Sequence, residues 1–465
     1  MSEAGIVIVG AGQGGFQAAA SLRDSGYQGR LVLVGDEPGL PYQRPPLSKA
    51  YMKGEAGIEQ IELRAGAFYA DHRIELVNAR AAAIDRAGQR LLLGRGEALP
   101  YAHLILATGA RNRPLPVPGH DLAGVFYLRT RADADALRGR LDEARRVVVI
   151  GAGFIGLEFA AVARALGHEV TVLEGASRVL ARAVSPEMSA FFADAHAAMG
   201  TRLRLGAGVI GLQGRDGHVT GVETTDGAVH PADFVLVGIG VVPNVELAAK
   251  AGLEVANGIV VDAHLATADP AISALGDAVA YPSRFAAKDG PVMVRLESVQ
   301  NAADQARSLA HRLTGKLSPT GEPAPFDAVP WFWSDQADLK LQMVGLAGAT
   351  DAAVLRGDPA SRRFSVFRFR DGVLTAIESV NRGADHMLGR RLLAGTPALT
   401  PAQAGDEGFE LEEPAGEVAL RRRAAPVRSH RPHRSHRPPL RSHRPLRRSH
   451  PPRRKPVLGG HRPGV

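Results

Sequence analysis

Two stretches of this chain decide its fold: Ile6-Val7-Ile8-Val9-Gly10-Ala11-Gly12-Gln13-Gly14-Gly15, and Val147-Val148-Val149-Ile150-Gly151-Ala152-Gly153-Phe154-Ile155-Gly156. Each is a short apolar run that breaks into G-x-G-x-x-G. The first glycine allows a tight turn, the second lets a backbone approach a pyrophosphate, and the third lets helix pack on strand. A helical stretch follows each, to about Asp24 and Leu166. Turns then fall at Ser25-Gly26 and at Gly167, before second strand-like runs at 31–34 and 169–173. Strand, glycine turn, helix and strand together make a β-α-β unit with a helix N-terminus aimed at phosphate. Further apolar runs at 104–107 and 234–237, each followed by glycine, extend the pattern to parallel sheets covered by helices.

Acidic residues close the second strand of both units. Asp36 and Glu37 do so in the first, where a ribose hydroxyl would bind. Glu174 does so in the second, 23 residues after Gly151. A carboxylate there accepts hydrogen bonds from a ribose 2′-hydroxyl and repels a 2′-phosphate, which favours NADH over NADPH. Arg178 is the counter-argument, since it is placed to reach a phosphate. Two such units imply two dinucleotides, a bound FAD and a diffusing nicotinamide. The flavin then turns two-electron input into single-electron output.

Composition narrows the chemistry. The chain has 465 residues and no cysteine, which excludes disulfides, redox thiols and cysteine-ligated metal or iron–sulfur sites within it. Its net charge of +8 misleads: residues 420–465 carry 15 Lys and Arg and no acid, so the rest of the chain stands at −7. That arithmetic removes the general case for nucleic-acid binding. No apolar run is long enough for a bilayer, and the N-terminus shows no signal peptide, so no membrane role and a cytoplasmic location are expected. Beyond about Pro325, strand-like runs at 331–333, 339–344, 364–370 and 373–380 and a helical stretch at 383–393 suggest a small α+β domain. From 414 to 465 the sequence becomes Arg-, His-, Pro- and Ser-rich, and is expected to be a disordered basic tail. It reads better as a degenerate C-terminus than as an RNA-, membrane- or metal-binding arm.

With these features in place, the sequence resembles the FAD-dependent ferredoxin reductases of bacterial oxygenase systems, over about residues 6–393. The resemblance rests on several separate motifs. Leu40-Pro41-Tyr42-Gln43-Arg44-Pro45-Pro46-Leu47-Ser48-Lys49 resembles a loop whose Arg and Lys contact FAD. Ala107-Thr108-Gly109 resembles a turn packed near FAD, and Arg129 a flavin-site arginine. Gly276-Asp277 resembles the second FAD motif, and Glu297-Ser298-Val299 a stretch beside the flavin ring. Gly238-Ile239-Gly240 resembles a loop near the nicotinamide, and Ala81 is placed among the FAD contacts. The resemblance further implies that Glu158 pairs with Lys49 beside the flavin, and that Trp331 and Trp333 shield the flavin edge turned toward the ferredoxin.

The expected architecture is therefore α/β. It has an FAD-binding domain at 1–112 and 249–326, an inserted NAD-binding domain at 113–248, and an α+β C-terminal domain at 327–405. Lys49, Glu158 and Trp333 are the candidate catalytic residues, with no metal site. Thiol-based reductases and peroxidases of this fold are excluded by the missing cysteines, and membrane-bound NADH dehydrogenases by the strand-rich C-terminal region. The resemblance implies oxidation of NADH and reduction of a small acidic [2Fe–2S] ferredoxin that feeds a P450 or other oxygenase. An alternative is a sensor flavoprotein of the apoptosis-inducing-factor type.

Overall fold

The computed structural model describes residues 4–286, 290–316 and 321–411, with the backbone of 421–422. Most of the basic tail therefore lies outside the described residues.

The first G-x-G-x-x-G unit builds one sheet. Parallel strands Gly5–Val9, Leu31–Gly35 and Ile74–Asn78 lie side by side, and Ala98–Leu106 flanks the first of them. Ile272–Ala274 comes back from far along the chain to pair in parallel with Ala98–Leu106. Strand Gly5–Val9 is buried at every position. That absence of alternation is what coverage of both faces produces. The helix Gln13–Asp24 packs against the helix Val299–Leu313, which follows the returning strand.

The second unit builds a parallel sheet ordered Arg202–Leu205, Glu169–Glu174, Arg146–Ile150, Phe234–Val237 and Val125–Phe126. Its chain enters and leaves side by side, because Ala110–Asn112 and Val241–Pro243 pair as an antiparallel ribbon. Three more strands, Val209–Arg215, His218–Thr224 and Val229–Pro231, form a meander that the sequence did not announce. Its strands carry glycines and show poor alternation, so the period-2 signal is weak.

The C-terminal region is a five-stranded antiparallel sheet, ordered Trp331–Gln336, Leu339–Gly345, Val373–Val380, Arg363–Arg370 and Ala352–Asp358. One face packs Val344, Phe367 and Ile377 against Leu388 and Leu392 of the helix Gly383–Ala394. The other packs Leu341, Phe364 and Val366 into the core of the second dinucleotide unit, where Phe191 meets Phe364 with ring centroids 4.8 Å apart. The strand Ala352–Asp358 was missed in sequence because Arg356, which is buried, interrupts the expected pattern. Its guanidinium donates to the carbonyls of Ala404, Asp406 and Phe409.

Candidate functional site

The glycines of the first turn have separate jobs. Gly10 has φ +109°, and a Cβ there would overlap the Ala107 carbonyl, so the turn can only be glycine. A Cβ on Gly15 would overlap the Gly10 carbonyl, which is the close helix–strand contact. Gly12 faces open space, with no atom within 4 Å of a built Cβ. Gly12 is also the N-cap of Gln13–Asp24, and no side chain caps that helix. Its first amides are left for an anion. Gly14 is closed over, with Leu275 Cδ1 only 2.6 Å from a built Cβ.

The second turn repeats the geometry with one difference. Gly151 has φ +102° and faces the Gly238 carbonyl, Gly156 packs on Gly151, and Gly153 is open. Gly153 likewise caps Phe154–Ala165 without a side-chain bond. The counterpart of Gly14 is Ile155, and it is 42% exposed. Nothing closes over it.

Glu174 turns inward. Its Oε2 accepts the Ala152 amide at 2.7 Å and its Oε1 the Ala176 amide at 2.8 Å, so it also stiffens the glycine turn. In the first unit the register puts Gly35 at the equivalent position, since Val9 pairs with Val34 as Ile150 pairs with Leu173. Ala11 Cβ lies 2.6 Å from where a Gly35 Cβ would be. The two acids that follow have different fates. Asp36 is exposed, whereas Glu37 is held by Arg44 and by the Tyr42 hydroxyl. Arg178 is already committed, its guanidinium donating to the Val184 carbonyl at 2.9 Å and to the Ala181 carbonyl at 2.5 Å.

A second group gathers across the first sheet. Arg44 Nη1 donates to the Arg129 carbonyl at 2.6 Å, and Arg129 Nη2 pairs with Asp277 at 3.0 Å. Arg129 Nε is buried without a partner. Arg295 donates to the Asp277 carbonyl at 3.2 Å and pairs with Glu297 at 2.7 Å. Gly276 has φ +80°, and its amide donates to Gln305 Oε1. Ser298 caps the helix Val299–Leu313 and donates to the Trp331 carbonyl at 3.0 Å. Thr108 and Gly109 are tied to Asn244: the Thr108 hydroxyl donates to its carbonyl, and Asn244 donates back to the carbonyls of Thr108 and Gly109. Gly240, with φ +94°, accepts from the Arg113 amide beside this ribbon, and Ile239 packs on the neighbouring core. Ala81 lies at the start of the strand Ala81–Asp85, packed against the first core.

Lys49 and Glu158 meet, with Nζ 2.5 Å from Oε2. Lys49 follows the 3-10 helix Pro45–Ser48, whose prolines fix φ at its start. Glu158 is buried on Phe154–Ala165 and accepts the Ser48 hydroxyl on Oε2 at 2.6 Å and the Ser334 hydroxyl on Oε1 at 2.7 Å. Ser48 and Ser334 are partners the sequence reading missed. The one available signal was period-2 alternation in Trp331–Gln336. It puts Phe332, Ser334 and Gln336 on one face and Trp331 and Trp333 on the other. Phe332 packs on Phe154 with centroids 4.6 Å apart. Trp333 thus faces away from the Lys49–Glu158 pair. It stacks on Trp331 at 5.5 Å, and Arg390 lies over Trp331. Trp333 opens onto a depression lined also by Lys340, Arg362, Arg363, Asp335 and Asp338, with Arg362 paired to Asp338 at 2.8 Å.

These residues fit an anionic dinucleotide in each turn: both second glycines are open, both helix N-termini are uncapped, and a buried unpartnered Arg129 Nε lies by Gly109 and Asp277. Among the described residues no group of three or more His, Asp or Glu gathers for a metal, and no helix is long and apolar enough to cross a membrane.

Residues 4–306 match the pyridine nucleotide-disulphide oxidoreductase family, and residues 331–415 match the family described as reductase C-terminal. The chain belongs to the pyridine nucleotide-disulphide oxidoreductase family. Within it, the chain is 52% identical to rhodocoxin reductase of Rhodococcus erythropolis, over 88% of this chain and 93% of that one. It is 42% identical to putidaredoxin reductase of Pseudomonas putida, over 88% and 96% of the two chains. Among solved structures, the ferredoxin reductase for the CYP199A2 system from Rhodopseudomonas palustris superimposes with a TM-score of 0.84 at 51% identity. That match covers 88% of this chain and 99% of the other.

Proposed function

We propose that this protein is an FAD-dependent ferredoxin–NAD reductase that draws electrons from NADH and delivers them to a [2Fe–2S] ferredoxin serving a P450 or other oxygenase. The observation that carries this reading is the inequality of the two turns. Gly14 is roofed by Leu275, as befits a cofactor that stays, whereas Ile155 is open, as befits one that leaves. The absence of cysteine in a family named for disulphide chemistry directs the output to another protein.

FAD, when bound, supplies the change from two-electron to one-electron transfer. The chain's own residues do the rest. The amides after Gly12, with Arg129 and Asp277, hold the permanent dinucleotide, and Arg44, Ala81, Thr108 and Val299 border it. The amides after Gly153 hold the exchanging one, with Glu174 facing its ribose and the Gly238–Gly240 loop beside it. Lys49 is held by Glu158 so that its ammonium lies beside the flavin, where positive charge stabilises added electron density. Trp333 borders a mixed-charge depression in which Lys340 and Arg363 stand beside Asp335 and an Arg362–Asp338 pair, and the aromatic face with Lys340 and Arg363 is the part offered to an acidic partner. We place the domain limits at 1–112 with 249–326, 113–248 and 327–405, and the protein in the cytoplasm.

The test is a coupled assay. Cytochrome c reduction should require added ferredoxin and prefer NADH to NADPH. Slow flavin reduction with a long-lived charge-transfer band and no ferredoxin dependence would instead indicate a sensor flavoprotein. Lys49→Ala should slow flavin reduction by NADH. Trp333→Ala should impair ferredoxin reduction more than NADH oxidation, and equal losses would reduce Trp333 to packing.

A further inference from the structure

Glu158 ends a line of buried side chains that crosses three parts of the chain. Its Oε1 accepts the Ser334 hydroxyl at 2.7 Å, Ser334 Oγ lies 3.2 Å from Gln336 Nε2, and Gln336 Oε1 lies 2.8 Å from His196 Nε2. Ser334, Gln336 and His196 are each 0% exposed, so no bulk water can substitute for a missing partner. The helix Pro186–Ala198 that carries His196 is fixed at its other end. There Glu378, on the C-terminal sheet, accepts both the amide and the hydroxyl of its N-cap Ser185.

The direction of every bond follows from the carboxylate. A carboxylate only accepts, so the Ser334 proton points to Glu158. The Ser334 oxygen then accepts, which turns the Gln336 nitrogen toward Ser334 and its carbonyl toward His196. A carbonyl only accepts, so His196 carries its proton on Nε2. Nδ1, buried without a partner, is then the bare nitrogen of a neutral ring. Burial pushes the His196 pKa below its ordinary value, which agrees with neutrality. The reverse arrangement would have a protonated Glu158 donating to Ser334, the amide turned over, and the His196 proton on Nδ1. That leaves a buried donor with no acceptor, a disadvantage on the order of tenfold or more.

We infer that His196, acting through Gln336 and Ser334, is a positioning residue that holds Glu158 as an acceptor and thereby fixes Lys49 Nζ in place. This rests on the reading that Lys49 faces the flavin. The amide in the chain cannot pass a proton along, so the line orients and does not conduct. It also ties the second dinucleotide unit and the C-terminal sheet to the Lys49 loop, so the chemistry of one residue depends on three separately built parts.

The FAD-loaded protein labelled with 15N-histidine provides the direct test. Long-range proton–nitrogen correlation, with the His196 signals identified by their loss in His196→Phe, should show the neutral Nε2–H tautomer from pH 6 to 8. An Nδ1–H tautomer or an imidazolium would overturn the inference. A second arm uses rapid mixing with NADH. Gln336→Leu should slow flavin reduction by about tenfold, the size of one buried hydrogen-bond link. It should have no further effect in a Lys49→Ala background. A full additional tenfold loss there would mean that Gln336 acts by packing alone, which also overturns the inference. If Lys49→Ala by itself leaves the rate unchanged, the reading of Lys49 fails instead, and the tautomer alone then judges the chain of bonds.

Discussion

In the first dinucleotide unit Gly14 lies beneath Leu275 and against Ala302 of a helix that returns from the far side of the inserted unit; in the second, the equivalent Ile155 stands exposed. Strand, turn and helix are otherwise the same object built twice. Gly35 and Glu174 complete the contrast. The first strand ends in a glycine filled by Ala11, and the second in a carboxylate that grips its own turn. On the proposed reading, retention and exchange are set outside the fingerprint, by what later chain segments lay over it. On that reading the work is divided: the shared motif for phosphate, the neighbours for residence time.

Substitutions can break this contrast, and the largest effect is expected where both units are alike. Gly15→Ala forces a Cβ into the Gly10 carbonyl and should cost about 3 kcal/mol or more. It should be seen as loss of bound flavin and a lower thermal midpoint. Gly156→Ala should instead spare the flavin and abolish NADH saturation.

Acid should act next, through a histidine in each unit. His103, on the strand Ala98–Leu106 of the first sheet, donates to or accepts from Ser273. Burial first, and the Arg312 charge second, push its pKa down to about 4. A histidine with a lowered folded pKa contributes stability that is present above its unfolded pKa of about 6.5 and lost as pH falls toward 4, up to about 3 kcal/mol. The second unit has its own buried histidine, His196, whose pKa burial also lowers, so only the flavin readout and the His103 variant separate the two. Flavin release should therefore track pH between 6.5 and 4, and His103→Leu should flatten that dependence.

Exchanging the differing residues tests the contrast itself. Gly14→Ile must displace Leu275 and should weaken FAD retention by about tenfold to a hundredfold, given about 1–3 kcal/mol for overpacking. Dialysis against a flavin scavenger measures it. Glu174→Ala removes two hydrogen bonds and a charge, and should erase about tenfold of the NADH preference, read from the ratio of kcat/KM values for NADH and NADPH. Ile155→Gly should change the KM for NADH by no more than about threefold, because an exposed side chain contributes little. A large effect there would show that Ile155 covers the nicotinamide after all.

The parts of this molecule that were legible in sequence are the local ones. Both fingerprints, the six central strands of the two sheets and the helix Gly383–Ala394 follow from spacing and turn chemistry within short windows. The Lys49–Glu158 meeting came from resemblance, since the two lie far apart in sequence. The Ser334–Gln336–His196 line was not read at all. Its members look like a strand's ordinary polar residues and a helix's stray histidine until the C-terminal sheet lands on the helix Pro186–Ala198. Arg178, the counter-argument to an NADH preference, is weakened for a related reason that sequence does not show: two backbone carbonyls already hold its guanidinium.

The ribbon of Ala110–Asn112 with Val241–Pro243 brings the entry and exit of the second unit together. Entry and exit are neighbours across one pair of hydrogen-bonded strands, and Asn244 latches them to Thr108 and Gly109. A coenzyme-binding cassette of different preference, cut at these two joints, needs no new linker, but it must bring its own equivalents of Glu158, Ser185 and His196, which hold Lys49, Glu378 and Gln336. Nicotinamide choice and electron-acceptor choice are thus coupled inheritances of this chain, because the coenzyme unit and the C-terminal sheet share one core and the bonds Ser185–Glu378 and His196–Gln336.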